Sequence, residues 1–403
     1  MSRERLVPKL RFSGFDDEWI EINIKDYSTI KGRIGWKNLK QSEYTESGPY
    51  LIAGKHITNG IINWEECDHL SMERYDESPE IALEIGDVIF SKDGSLGNPA
   101  LIKVLPDKAT INGTMMLVRL HEKVTPNFFY QVLNSESFFR LLHILKSGSS
   151  IPHIFQRDME NFKFKIPQSF DEQNKISSLL EKIDEKIELL NNKHQTYQSF
   201  KQYLMQEIFA QKLRFDFDDE WKKYLLGEIS LIGKGFTPST SNPSFWDGEL
   251  KWLSIADMNQ GKYINQTTKT ITPDGSKNKE PVKKGTLLMS FKLSIGKLGI
   301  LTEDMYTNEA ICNFEWKNKD VLTEYMYYYL SSINILKYGS QAAKGITLNN
   351  ETLNTIPVLL PSLEEQKKII KILSDVDLKI NMLENSINDT SKFKKGLLQQ
   401  MFV

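Results

Sequence analysis

The sequence predicts an α+β fold in which two similar globular segments alternate with two long α-helices that pair as an antiparallel coiled coil. Three observations lead there. The words "KLRFSGFDDEW" at 9–19 return as "KLRFDFDDEW" at 212–221. "EIGDVIFSKDGSLGNPALI" from Glu84 aligns without a gap on "KKGTLLMSFKLSIGKLGIL" from Lys283, and "IPQSFDEQNKI" from Ile166 on "LPSLEEQKKII" from Leu360. Each copy then enters an apolar stripe in alternating steps of four and three, the mark of a coiled-coil seam. A repeat of this reach sets the architecture before anything else.

Taken in order, residues 1–168 form the first globular segment, 169–211 the first helix, 212–361 the second globular segment and 362–403 the second helix. The globular segments mix short β-branched and aromatic runs such as Asp87-Val88-Ile89-Phe90 with Gly, Pro, Asn and Ser turns. Helical patches are expected at 127–145 and 322–336. The first seam reads Ile176, Leu180, Ile183, Ile187 and Leu190, then Tyr197, Leu204 and Ile208. The second reads Ile369, Leu373, Val376, Ile380, Leu383, Ile387, Leu397 and Met401. Pro167 and Pro361 bound the helices on their N-terminal side. About 38 residues of helix from Glu172 would span ~57 Å. His194 and Lys201 interrupt the first seam, Thr390 and Lys394 the second, and polar seam residues of this kind set register.

Composition bounds the function. The 403 residues carry 51 Lys+Arg against 53 Asp+Glu, a net charge of −2, with 40% hydrophobic and 26% charged residues. That is ordinary for a soluble globular protein. The first globular stretch, 11–165, holds 18 basic and 22 acidic side chains; the second, 212–361, holds 18 and 17. Any nucleic-acid binding must rest on local patches, helped by other subunits. The opening "MSRERLVPKLRF" has no apolar signal core and no run is long enough to span a membrane, so the cytoplasm is expected. Cys67 and Cys312 occupy unmatched places in the two copies and form neither a disulfide framework nor a zinc site.

No catalytic motif stands out. Gly233-Lys234-Gly235 lacks the Ser or Thr and the earlier Gly of a phosphate loop. "NPSF" at 242–245 has Ser244 where a methyltransferase catalytic turn needs a second proline. Asp274, Glu315 and Lys317 could be assembled into a nuclease pattern, but Asp274 lies in the turn sequence "TPDG" and has no counterpart in the first copy. The six histidines form no metal-ligand spacing. What the segments do offer is loops with side chains that bond phosphates and base edges. Candidate contacts in the first copy are Arg33, Trp36 and Lys37; Ser91, Lys92, Asp93 and Ser95; Asn112; and Ser147 and Ser149. In the second they are Lys234, Thr237, Ser239 and Thr240; Ser290, Lys292 and Ser294; Asn308; and Gln341 and Lys344. The frames of these loops match while their tips differ, as one scaffold reading two sequences requires.

Two divergent globular segments, each opening "LRF…F-D-D-E-W" and each ending in a proline-bounded heptad helix that begins "D-E-Q" or "E-E-Q", closely resemble the specificity subunit of type I restriction–modification systems. The resemblance covers essentially the whole chain. It implies two target recognition domains, each reading one half of a split, asymmetric site on double-stranded DNA, held apart by helical spacers. It implies no catalysis and no cofactor in this chain. The partners implied are two methyltransferase subunits using S-adenosylmethionine and two restriction subunits using ATP and Mg²⁺. A non-catalytic adaptor that scaffolds protein partners through its duplicated domains is the alternative reading.

Overall fold

The computed structural model describes residues 6–33, 39–147, 152–215, 217–292, 294–342 and 345–403. The chain divides into two compact units, Met1–Asn191 with Asn385–Val403, and Asn192–Glu384. Each unit therefore holds one globular domain and a part of both long helices.

The two units are built alike. In the first, one sheet has the strand order Ser28–Gly32, Met115–Leu120, Val88–Ser91, Gly97–Leu101, with every neighbouring pair antiparallel. A second sheet sets Tyr44–Ile52 between antiparallel Asp68–Leu70 and parallel Ala109–Ile111. A ribbon of Ile20–Asn23 with Lys163–Ile166 closes the domain. The second unit repeats the plan. Ser230–Lys234, Ile311–Trp316, Leu287–Ser290 and Leu298–Leu301 form the antiparallel order, extended by parallel Tyr263–Ile264. Trp246–Leu253 lies between Lys269–Ile271 and Tyr306–Thr307, and Lys222–Leu225 pairs with Pro357–Leu360.

The central strands read as unbroken apolar runs because both their faces are covered. Period-two alternation sends Val88 and Phe90 into the core that the long helices share, and Ile89 into the core under the second sheet. Leu287 and Met289 divide from Leu288 in the same way. The matched glycines have a backbone reason. Gly86 and Gly285 have φ of 96° and 83°, and Gly97 and Gly296 have φ of 90° and 89°, a region open to glycine but not to most side chains.

The long helices are Phe170–Phe209, 40 residues, and Leu363–Met401, 39 residues. Within the first unit Ile176, Leu180 and Ile183 share a core with Leu397, Leu398 and Met401. Within the second, Leu204 and Ile208 share one with Ile369, Leu373 and Val376. Of the remaining seam positions, Leu383 is buried, and Ile187, Leu190 and Ile380 are half-buried. In each unit the start of one long helix shares a core with the end of the other, the arrangement of an antiparallel pair. The charged seam residues are paired: Lys394 Nζ lies 2.6 Å from Asp184 in the first unit, and Lys201 Nζ 2.6 Å from Asp377 in the second. Asp377 follows Asp184 by the same interval that separates Lys394 from Lys201, so one bridge is written twice.

The predicted patch at 127–145 is two helices, Pro126–Val132 and Glu136–Ser147. Leu133 closes the first, and the turn that follows bonds through Ser135 N–H to Val132 O. The patch at 322–336 is likewise shorter, Thr323–Ser332, followed by a 3-10 turn at Ile335–Tyr338.

The repeated words meet at the start of each long helix. Arg11 donates to Glu172 from Nε at 2.7 Å and Nη2 at 2.8 Å, and Trp19 Nε1 donates to the same carboxylate at 3.3 Å. Arg214 and Trp221 hold Glu365 identically, at 3.1, 2.7 and 3.0 Å. Both carboxylates are fully buried. The hydrogen bonds to them raise the pKa of Arg11 and of Arg214 above the ordinary guanidinium value. The next residue binds main chain: Gln173 Nε2 donates to Lys123 O and Pro167 O while its Oε1 accepts from Thr125 N–H. Gln366 does the same with Asp320 O, Pro361 O and Leu322 N–H. One further bond recurs: Leu213 N–H reaches Glu207 O at 3.1 Å, and Leu10 N–H reaches Gln400 O at 2.9 Å.

Two tests follow. Glu172→Ala leaves the Arg11 guanidinium and the Trp19 N–H without their buried partner and should lower unfolding stability by about 3–5 kcal/mol; a denaturant midpoint within error of the parent would refute the clamp. The thiols are both buried, and burial pushes Cys67 up to about 11 and Cys312 up to about 12. Thiolate is the reactive form, so a thiol reagent at neutral pH should label neither cysteine until denaturant is added; prompt labelling of the native protein would contradict that.

Candidate nucleic-acid interface

Antiparallel pairing fixes which loops share an end of each sheet. In the first domain the C-terminal ends of Ser28–Gly32 and Val88–Ser91 lie beside the N-terminal ends of Gly97–Leu101 and Met115–Leu120. Arg33, the 91–97 turn and the Asn112 turn therefore converge, although they are spread over some eighty residues of sequence. The backbone ties them directly: Lys92 N–H donates to Thr114 O at 2.9 Å. In the second domain the same logic gathers Lys234 and the 237–240 loop, the 290–297 turn and the Asn308 turn. There Gly235 N–H reaches Ile311 O and Phe236 N–H reaches Thr307 O.

The candidates divide by exposure. Ser95, Lys234, Ser239, Thr240, Lys292 and Ser294 are exposed, and Lys92 is half-buried at the same end. Ser239 Oγ bonds Ser241 Oγ at 2.8 Å, and Lys292 Nζ lies 5.6 Å from the centre of the Phe291 ring. The Asp93 carboxylate is paired with His153 Nδ1. Asn112 and Asn308 turn their Oδ1 onto backbone N–H groups two residues on, Thr114 at 3.0 Å and Ala310 at 2.8 Å. Their match in the repeat thus has a turn-closing cause. Asn308 Nδ2 also donates to Thr237 Oγ1 at 3.0 Å.

Three candidates are corrected. Ser91 and Ser290 are 1% and 0% exposed. They end buried strands with their hydroxyls turned inward, Ser91 onto Met115 Sδ and Ser290 onto Ser294 O. Arg33 is only 6% exposed, and among the described residues its three guanidinium nitrogens have no hydrogen-bond partner. Burial, with Arg74 nearby, lowers its pKa. None of the three reaches the surface. Trp36, Lys37, Ser149 and Lys344 lie outside the described residues; Ser147 ends the helix Glu136–Ser147, and Gln341 lies in the strand Ser340–Ala342.

Each long helix also leaves large apolar side chains exposed. Leu189, Phe200, Tyr203, Leu378, Met382 and Phe393 are 45–60% exposed. Phe200 and Phe393 occupy matched positions of the repeat, as do Leu189 and Met382. Among the described residues no group of His, Cys, Asp and Glu could hold a metal ion, and no helix is long and apolar enough to cross a membrane.

Residues 16–196 and 218–390 match the family described as the type I restriction modification DNA specificity domain. The chain is 25% identical over 346 residues to the type I restriction enzyme MjaVIII specificity subunit of Methanocaldococcus jannaschii, covering 79% of each. It is 20% identical to the EcoBI specificity subunit of Escherichia coli over 96% of this chain and 85% of that one. The crystal structure of a type I restriction-modification S subunit from M. genitalium shares its fold, with a TM-score of 0.61 at 16% identity, covering 98% and 99% of the two chains. Taken with the doubled domains and the paired helices, these matches make the chain a member of the type I restriction–modification specificity subunit family, a DNA-recognition component with two target recognition domains and no catalysis of its own.

Proposed function

We propose that each domain reads one half of a split, asymmetric DNA site with the loops gathered at one end of its antiparallel sheet, and that the paired helices set the distance between the halves. The observation that carries this is the convergence: exposed Ser95 and half-buried Lys92 in the first domain, and exposed Lys234, Ser239, Thr240, Lys292 and Ser294 in the second, gather at the equivalent sheet end, on loops whose frames match and whose tips differ. Phosphate contacts would position the duplex and base-edge contacts would specify it. The sparse positive charge fits a reader that shares its phosphate contacts with other subunits.

The exposed apolar residues on the helices support docking of two methyltransferase subunits, because Phe200/Phe393 and Leu189/Met382 offer related positions twice. Exposed apolar clusters of this kind mark protein interfaces. Two restriction subunits would complete the complex. The methyltransferases would use S-adenosylmethionine, the restriction subunits ATP and Mg²⁺, and this chain none of these. The assembly would work in the cytoplasm.

Two experiments test the division of labour, both reading methylated sites made by the chain with its methyltransferase. Lys92→Ala or Ser95→Ala should weaken recognition of the first half-site alone, and Lys292→Ala or Ser294→Ala the second alone, each by about 1–3 kcal/mol; variants that methylate every site like the parent would refute the loop assignment. Inserting four residues between Asn192 and Lys193 adds ~6 Å of helix, about two base pairs at ~3.4 Å each. Such an insertion is a stutter that a coiled coil absorbs by local unwinding, so activity should fall but persist. Unchanged half-sites at a wider spacing are expected, whereas altered half-site bases at the old spacing would move sequence reading into the helices.

A further inference from the structure

One cluster at the reading end of the first domain has no parallel in the repeat. The segment that follows residues 148–151 is pinned to the 91–97 turn: Ile154 N–H donates to Lys92 O at 2.9 Å, and Asp93 and His153 face each other as a backbone bridge. The Asp93 carboxylate also holds His153 Nδ1. The His153 ring lies 4.5 Å from that of Phe155, and the Arg157 guanidinium sits over the Phe155 ring at 5.3 Å from its centroid. Phe155 is 52% exposed, yet Ile154 and Met159 on either side of it are fully buried. Phe155 N–H is capped by Asp158 at 2.9 Å, which starts the short helix Gln156–Glu160. An exposed aromatic ring on so firmly anchored a backbone contributes little to the core; it is presented.

We propose that His153, Phe155 and Arg157 are specificity-determining contacts of the first half-site, with Asp93 a positioning residue that aims His153. An ionised carboxylate only accepts hydrogen bonds, so His153 Nδ1 carries a proton toward Asp93, and the ring is aimed with Nε2 as the atom left to meet a base edge. Its chemical match is the hydrogen-bonding edge of a base in the major groove, with the Phe155 ring lying against a neighbouring thymine methyl. Arg157, exposed and bonded to no carboxylate among the described residues, takes a backbone phosphate. Asp93 thus acts through His153 rather than on DNA. This rests on the reading of the sheet end as the DNA-facing surface.

The test maps and times methylation by the full complex of this chain with its methyltransferase, using sites that differ by one base pair. His153→Ala should relax discrimination at a single position of the first half-site by roughly tenfold, and Asp93→Asn should relax the same position, which a general loss of packing would not select. Arg157→Ala should slow every site alike, by roughly tenfold, with a shallower salt dependence. Recognition of the second half-site by the same molecules reports that each variant is folded. Parent-like discrimination and rate in both His153→Ala and Arg157→Ala, with the parent reading a bipartite site, would overturn this proposal alone. A parent complex that methylates no bipartite site would overturn it together with the function on which it rests.

Discussion

Everything in each unit hangs on a carboxylate placed out of water at the start of a long helix. Burying Glu172 or Glu365 is unfavourable unless the charge is neutralised and its lone pairs are filled. A two-pronged arginine and an indole N–H do both, and the helix N-terminus adds its own positive end. Because Arg11 and Trp19 open the globular domain while Glu172 opens the helix, the clamp locks the first residues of the domain to the element that leaves it. Gln173 and Gln366 then tie the same helical turn to the main chain before and after the domain's last strand. The words most faithfully repeated in the sequence are therefore the words that hold a domain to its helix.

This explains which parts of the molecule could be read from sequence. The helices were legible because a helix face that packs on a partner must repeat every three or four residues, and Ile176, Leu180, Ile369 and Leu373 do. The repeat located the loops because Gly97 and Gly296 need a left-handed backbone and Asn112 and Asn308 close turns, so divergence could not erase them. Whether a loop-edge side chain points out was not legible. Ser91 and Ser95 look equivalent in sequence, but one ends a strand covered on both faces and the other tops an exposed turn. His153 and Phe155 were invisible for a different reason: their significance comes from Asp93, sixty residues away, and the second copy has nothing to compare them with.

The charged interruptions of the seam show the same economy. Lys201 and Lys394 break an apolar pattern, yet each finds an aspartate on the facing helix. A slip by one heptad would leave leucines facing leucines but would strand both lysines and both aspartates half-buried. The apolar positions supply affinity between the helices, and the paired charges choose a single alignment.

The bond from Leu10 to Gln400 matches that from Leu213 to Glu207, but the second joins neighbours along the chain and the first joins residues nearly four hundred apart. Followed by contacts instead of peptide bonds, the order domain, helix, domain, helix returns to its beginning. In connectivity the protein is a cycle with two equivalent joints, one made covalently and one by packing. Each domain therefore begins against the end of a long helix, held there by the same main-chain bond whether or not the chain also runs directly from one to the other.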